Sequence, residues 1–165
     1  MATEPDQPAG HCPECGGHVT RGRAGCQALF DEVIAREFSD FRYAREHRLT
    51  VDAYSLQHPD EYMRSAKSYA AHLTGAYVAI ELGSAAENNR AIQQWLSRST
   101  ALDRPRQPEP AQRGALTILH VHAATDPDDH LRRVREWAKS AWAAWHAFHP
   151  IAQRWTDEAL GRKGA

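Results

Sequence analysis

Three cysteines near the start of the 165-residue sequence give its sharpest chemical signal. Cys12 and Cys15 belong to the string C-P-E-C-G-G, in which the glycines let backbone amides fold back towards the two thiolate sulfurs. A tight turn of this kind places two ligands on one edge of a tetrahedron, as zinc requires. Cys26 follows at the start of a predicted helix, on the face that points towards the protein. We therefore predict a zinc site that includes Cys12, Cys15 and Cys26.

The fourth ligand of this site is left open by the sequence, although His11 and His18 lie near the cysteine pair in the chain. A disulfide framework is disfavoured, because the number of cysteines is odd and we expect a reducing compartment. A redox pair of the thioredoxin type is also disfavoured, since no predicted strand precedes Cys12. Metal binding is the better explanation of the three thiols.

Histidines on the predicted helices are further candidate ligands. If the helices on either side of residues 59–60 form an antiparallel hairpin, His47 and His72 lie at the same height. His149 lies on a core-facing stripe at the end of the last long helix. We predict that these three imidazoles converge on one pocket as metal ligands and leave an open position that activates a water. The alternative is that they are buried histidines satisfied by hydrogen bonds.

The catalytic candidates are Asp52, His58 and His72. Asp52 stands four residues after Arg48 on one predicted helix, which indicates an ion pair; its functional alternative is a general base or a carboxylate that orients a ligand. His58 shares a helical stripe with His47, but eleven residues place them roughly 16 Å apart, so they cannot bind one ion. His58 either complements the helix dipole or belongs to a separate site.

Apolar residues recur at helical spacing along most of the chain after residue 25. Only residues 116–122 are ambiguous between a short extended piece and one helical turn. Helices are predicted at about 26–38, 41–57 and 61–82, from a capping box at Ser84, at about 126–148 and after residue 150. The sequence thus predicts an all-α fold, a helical bundle of about four to six helices over residues 26–165, preceded by a flexible tail and cysteine knuckle over residues 1–25.

Charge and hydropathy restrict the partners. Lys and Arg number 20 against 21 Asp and Glu, so the formal net charge is −1. This balance lacks the basic surplus of a protein that binds nucleic acid or an acidic membrane. No apolar run approaches the roughly 20 residues of a membrane span, and the N-terminus lacks a secretory pattern. We expect a cytoplasmic protein, with no nucleic-acid or membrane partner and an open oligomeric state.

Several strings in the sequence resemble a family of small, uncharacterised bacterial proteins, over residues 12–155. The most specific is H-R-L-x-V-D-x-Y-x-x-Q-H-P, which ends at Pro59; the others are C-P-x-C-G, the G-C-x-A-L-F string at Cys26, His72-Leu73 and the tryptophan array that ends at His149. One departure is Phe148-His149, where the family often has two adjacent histidines. The resemblance implies positions rather than chemistry. It favours Cys12, Cys15, Cys26, His47, Asp52, Gln57, His58, His72 and His149 over the remaining histidines.

Two functions are consistent with these residues. The first is a metal-dependent enzyme in which a His/Cys/Asp site acts on a small molecule. The second is a non-enzymatic, zinc-stabilised module that binds a partner or small ligand, in which the metal only pins the cysteine loop to the bundle. A closed site with four protein ligands would favour the second, and an open position would favour the first.

Overall fold

A computed structural model describes residues 10–83, 85–99, 102, 106–107 and 113–162. Within these ranges it contains eight α-helices and no strand, which confirms the all-α prediction. The helices are α1 (Gly22–Ser39), α2 (His47–Gln57), α3 (Pro59–Tyr62), α4 (Ala66–Ile80), α5 (Ala85–Arg98), α6 (Ile118–His122), α7 (Pro127–Ala144) and α8 (His149–Leu160). The count exceeds the predicted one mainly because α3 and α6 are single turns of four and five residues. The N-terminal tail before Gly10 and Ser84 of the predicted capping box lie outside the described residues.

Local signals explain where the main helices begin and end. Pro59 stops α2, because proline cannot continue the hydrogen-bond ladder and restricts the residue before it. Ser65 caps α4 in a reciprocal capping box with Ser68. The side chain of Asp126 accepts a 2.9 Å hydrogen bond from the backbone N–H of Asp129 at the start of α7. These boundaries position α2, α4 and α7, which carry most of the polar residues of interest.

Several helix limits differ from the predictions, and those of α1 and α7 change where candidate ligands lie. α1 begins at Gly22, so Cys26 lies in its second turn rather than at its start. The long helix α7 ends at Ala144, and a 3-10 turn over His146–Phe148 separates it from α8. His149 is consequently the first residue of α8 rather than the last of α7.

The apolar core has two parts that share α2 and α7. The first joins the cysteine knuckle, α1 and α6 to one side of these helices, where Tyr54 and Trp137 are buried. The second joins α4, α5 and α8 to the other side, where Leu56 and Trp142 are buried. α2 and α7 are thus the central elements, and the two sides of α2 face different parts of the core.

α2 and α4 form the predicted hairpin. The segment that connects them is longer than the single break at Pro59 that the sequence suggested. Because α3 and the residues up to Ser65 intervene, His72 lies against Asp52 rather than at the height of His47. The guanidinium of Arg48 also reaches α4, where it donates to the carbonyl of Ala71. In the part of the chain that the structure describes, no helix has the length and apolar character needed to cross a membrane.

Candidate metal centre

The cysteine knuckle is a tight turn held by its own backbone. The N–H of Gly16 donates to the carbonyl of Cys12 at 2.9 Å, and the N–H of Cys12 donates to the carbonyl of Gly17 at 2.8 Å. Gly16 has a φ of 75°, a left-handed conformation that glycine adopts without steric cost. The N–H of Gly17 points at the sulfur of Cys15, 3.4 Å away. The predicted folding of backbone amides towards a thiolate is thus present.

Cys26 reaches the knuckle because α1 passes very close to the chain that precedes it. A Cβ atom at Gly25 would lie 1.8 Å from the carbonyl oxygen of Thr20, so only glycine fits at this position. The neighbouring Cys26 then directs its sulfur towards Cys15, with 3.8 Å between the two Sγ atoms. Close backbone packing at Gly25 therefore places the thiol of Cys26 beside the knuckle.

His58 is the fourth member of the cluster. It stands at the end of α2, where Pro59 turns the chain, and its Nε2 atom lies 3.3 Å from the sulfur of Cys26 and 3.6 Å from that of Cys12. All four ligand atoms lie within 4.8 Å of one another. Cys12, Cys15, Cys26 and His58 thus form a Cys₃His cluster with the composition of a metal site.

The distances in this cluster match those of a tetrahedral site. With metal–sulfur bonds of about 2.3 Å and metal–nitrogen bonds of about 2.05 Å, the edges of the tetrahedron are about 3.8 Å between sulfurs and about 3.6 Å between sulfur and nitrogen. The observed separations are 3.8 Å between Cys15 and Cys26, and 3.3 Å and 3.6 Å from His58 to two sulfurs. The side chains are therefore already arranged around a space of the right size for one ion.

The cluster is buried and favours a thiolate. Cys12, Cys15, Cys26 and His58 are 1%, 5%, 0% and 1% exposed. Hydrogen bonds from Cys15 and Cys26 hold the pKa of Cys12 far below its usual range, while hydrogen bonds to Cys12 and Cys15, together with burial, raise the pKa of Cys26. Burial opposes protonation of His58, but its hydrogen bonds to Cys12 and Cys15 outweigh that effect and raise its pKa to about 9. A thiolate is the form of cysteine that binds metals.

Residues around the cluster fix the orientation of His58. Its Nδ1–H donates to the carbonyl of Tyr54 at 2.8 Å, which leaves Nε2 free to face the sulfurs. The ring of Tyr54 is stacked between His58 and Phe30, with centroid separations of 3.9 Å and 3.8 Å. The Tyr54 hydroxyl lies 3.8 Å from the sulfur of Cys26, towards which it donates. The imidazole is therefore held in the orientation that ligation needs.

Glu14, between the two knuckle cysteines, ties the knuckle to the bundle although it is only 2% exposed. Its Oε1 accepts from the backbone N–H of Asp60, and Arg23 Nε lies 3.0 Å from Oε2, close enough for an ion pair but not aligned as a hydrogen bond. The buried guanidinium of Arg113 donates to the carbonyls of Glu14 and Gln57, at 3.4 Å and 3.3 Å. The knuckle is thus anchored to the segments on both sides of His58.

Gln57 stands next to His58, and both the nitrogen and the oxygen of its side-chain amide form hydrogen bonds inside the protein. Its Nε2 donates to the carbonyls of Arg113 and Leu116 at 2.9 Å and 2.7 Å, and its Oε1 accepts from Trp137 Nε1 at 2.9 Å. The end of α2 is therefore joined both to residues 113–116 and to α7.

The three cysteines predicted as ligands come together, and His58 joins them. Sequence reasoning separated His58 from the site of His47, but helical spacing does not relate His58 to the cysteines. The one signal that could have selected it is its position before Pro59, where the helix ends and a side chain can turn towards another segment. His11 and His18 are hydrogen-bonded to each other at 3.1 Å on the exposed side of the knuckle.

His47, His72 and His149, also predicted as metal ligands, each bind a different group. His47 Nδ1 lies 2.7 Å from Glu37, His72 Nδ1 lies 2.8 Å from Asp52, and His149 Nε2 lies 2.9 Å from the carbonyl of Trp142. Within the described ranges, the Cys₃His cluster is the one group of three or more close ligand atoms. The structure thus places these histidines in three hydrogen-bonded pairs outside that group.

Sequence reasoning did not single out Glu37, which is 1% exposed. Its carboxylate accepts hydrogen bonds from His47, from Thr50 at 2.6 Å and from the buried His130 at 3.0 Å. These donors come from α2 and α7, so the contact cannot be read from the local sequence. The network joins α1, α2 and α7 at the end of the bundle where α1 ends.

Comparison with known proteins gives a family but no activity. Residues 10–146 match the model of a family described as "Family of unknown function (DUF5946)", and the chain therefore belongs to that family. This agrees with the expectation of an uncharacterised family. No curated protein and no solved structure matches the chain.

Proposed function

We propose that this member of the family is a zinc-stabilised helical protein, in which one zinc ion is held by Cys12, Cys15, Cys26 and His58. The ion has a structural role: it fastens the knuckle to α1 and to the end of α2. The observation that supports this proposal is the set of four buried ligand atoms at the edge lengths of a zinc tetrahedron.

The donor set favours zinc over other common ions. Three thiolates and one imidazole are soft or borderline ligands, which excludes magnesium and calcium as the preferred ions. In an iron–sulfur cluster with one cysteine per iron, the ligand sulfurs lie on opposite sides of the cluster. The 3.8 Å between Cys15 and Cys26 is too short for that arrangement and fits a single ion.

The completeness of the cluster supports a structural rather than a catalytic role. Catalytic zinc usually has three protein ligands and an open position for water or substrate. Here four protein ligands surround the same point, and none of them is more than 5% exposed. Of the two functions considered from the sequence, this geometry favours the non-enzymatic zinc-stabilised module over an enzyme whose reaction occurs at this ion.

The proposal is tested by metal analysis and cobalt substitution of the full chain. We expect one zinc per chain in protein purified without an affinity tag, and loss of that zinc in the variant Cys12→Ser/Cys15→Ser. Cobalt(II) in the same site should give the intense visible absorption of a tetrahedral thiolate complex.

Addition of azide or a small thiol should leave the cobalt spectrum unchanged, because a closed site has no exchangeable position. Zinc content in the double variant equal to that of the wild type would overturn the ligand assignment. A cobalt spectrum that changes on addition of azide would overturn the structural role while keeping the metal site.

A further inference from the structure

A second polar cluster lies between α2 and α4, away from the Cys₃His site, and the proposed function does not use it. Asp52 is 0% exposed, yet it is a carboxylate. Its Oδ1 accepts from His72 Nδ1 at 2.8 Å and from Arg48 Nε at 3.1 Å, and the same Nε lies 3.0 Å from Oδ2. One buried carboxylate thus holds an imidazole and a guanidinium side by side.

Gly75 allows α4 to lie directly on this carboxylate. A Cβ atom at this position would be 2.3 Å from Asp52 Oδ2 and 3.0 Å from Arg48 Nη2. The carboxylate is therefore confined by α4 on one side and by its two partners on the others. Its two partners are held in fixed orientations as a result.

The contact with Asp52 determines which nitrogen of His72 is free. An ionised carboxylate only accepts hydrogen bonds, so Nδ1 of His72 carries the proton that it donates. In the neutral imidazole, Nε2 then carries a lone pair. Nε2 has no hydrogen-bond partner among the described residues, and it is not fully buried. His72 thus presents a hydrogen-bond acceptor at a partly open surface, its side chain being 16% exposed.

Arg48 presents a donor beside this acceptor. Its Nε binds Asp52 and its Nη2 donates to the carbonyl of Ala71 at 3.1 Å, while Nη1 binds no described residue and reaches solvent. Because Arg48 Nε and His72 Nδ1 share the oxygen Oδ1, they lie no more than about 6 Å apart. The two groups that bind Asp52 thus each have one further nitrogen that is not sealed from solvent: a cationic donor on Arg48 and, in the neutral imidazole, an acceptor on His72.

We propose that His72 and Arg48 bind a small oxyanion that carries its own hydroxyl proton, for which hydrogen phosphate is the simplest example. Arg48 Nη1 donates to a charged oxygen of the ligand, and His72 Nε2 accepts the hydrogen bond from the ligand hydroxyl. Asp52 is a positioning residue that holds both groups. Hydroxy acids, with a carboxylate for Arg48 and a hydroxyl for His72, have the same chemistry.

The pair of His47 and Glu37 provides an internal control. His47 also lies with Nδ1 against a buried carboxylate, at 2.7 Å, and its side chain is more exposed, at 35%. Among the described residues, the other groups bound to Glu37 are Thr50 and His130, neither of which is an arginine. If a positioned histidine alone were enough, His47 would bind the same anions.

The test is a titration of the full chain, with zinc present, followed by nitrogen-15 and proton magnetic resonance of the histidine rings at pH 8. The ligands are inorganic phosphate and sulfate at equal ionic strength, and then glycolate and acetate as a second pair. Sulfate has no proton to donate to Nε2, and acetate has no hydroxyl. We expect a saturable shift at His72 Nε2 with phosphate or glycolate, at least about tenfold weaker binding of the matched ion without the hydroxyl, and no saturable shift at His47.

Variants test the second donor. Arg48→Gln should weaken binding of phosphate by at least about tenfold while zinc content stays unchanged. If this variant does not fold, Arg48→Lys keeps the charge without the forked donor and should still weaken binding several-fold. Equal affinity for phosphate and sulfate, equal shifts at His72 and His47, or no saturable shift with either phosphate or glycolate would overturn the proposal.

Discussion

The Sγ atom of Cys26 and the Nε2 atom of His58 lie 3.3 Å apart, although 32 residues separate them in the chain. Cys26 is fixed by α1 and His58 by the end of α2, so the contact exists only when these segments are packed together. A metal ion bound by both residues stabilises that packing over the unfolded chain, in which the ligands are dispersed.

His58→Ala is expected to lower zinc affinity by more than about a hundredfold, because it removes one of four ligands and leaves a cavity that water fills. The protein should also melt at a temperature on the order of 10 °C lower, since a loss of a few kcal/mol has that effect in a chain of this size. Zinc content by mass spectrometry and thermal unfolding by circular dichroism measure both effects.

The matched control for this variant is His149→Ala. His149 was predicted as a ligand from its core-facing stripe, but its Nε2 lies against the carbonyl of Trp142. This variant should keep one zinc per chain. If it lost zinc and His58→Ala did not, the ligand set proposed here would be wrong.

The three buried thiols should be inaccessible to a thiol reagent while zinc is bound. Removal of the metal with a chelator leaves the knuckle without its central contact, so we expect all three cysteines to react, to the same extent as in a urea-unfolded control. Addition of excess zinc before the reagent should restore protection. Thiols that stay unreactive after chelation would mean that packing alone protects them and that the ion contributes nothing to the fold of the knuckle.

How much of the metal centre the sequence could predict depends on how far apart the four ligands lie along the chain. Cys12, Cys15 and Cys26 lie within one short segment, and the glycine-rich turn between them is a local property that the sequence displays. His58 comes from another helix, and its position depends on how α2 packs against α1. No periodicity within one helix contains that information.

A related reason explains why His72 lies beside Asp52 and not level with His47 as predicted. A hairpin that turns at residues 59–60 would place His72 level with His47, whereas α3 and the residues up to Ser65 lengthen the connection. A shift of the turn by two or three residues is within the usual uncertainty of helix ends predicted from sequence, but it changes the facing residue from His47 to Asp52. An error of this size leaves the prediction of an all-α fold unchanged. It does change which residues on two neighbouring helices are predicted to face each other.

Gly25→Ala should destabilise the protein by at least about 2 kcal/mol and also weaken zinc binding. The added Cβ would lie 1.8 Å from the carbonyl oxygen of Thr20, a backbone atom that cannot move without displacing the chain that leads from the knuckle. Cys26 would then be drawn away from the other ligands. Denaturant unfolding and competition with a zinc indicator measure the two effects.

Gly83→Ala is the control, since Gly83 has a φ of 62° and no neighbour within 4 Å of an added Cβ. It should cost about 1–2 kcal/mol through backbone strain alone and leave zinc affinity unchanged. Zinc affinities that fall equally in the two variants would show that the loss reflects general destabilisation rather than the close approach at Thr20.

Gln57→Leu should lower the free energy of unfolding by about 3 kcal/mol or more. The side chain is 0% exposed, and its loss removes the acceptor of the Trp137 N–H and the donor to the carbonyls of Arg113 and Leu116. A buried polar group that loses its partner costs roughly 1–3 kcal/mol, and the loss of these hydrogen bonds outweighs the small gain from a more apolar side chain. Urea unfolding followed by tryptophan fluorescence and circular dichroism measures the change.

The same substitution at the exposed Gln94 should change stability by less than about 0.5 kcal/mol, because no buried partner is left behind. Gln57 also stands beside His58, so the variant reports on the connection between the metal centre and α7. Zinc affinity should fall less than in His58→Ala, since the four ligands remain and only the end of α2 loses its anchor. A Gln57→Leu protein as stable as the Gln94→Leu control would mean that this network does not hold α2 against α7 and that the zinc centre is secured by its ligands alone.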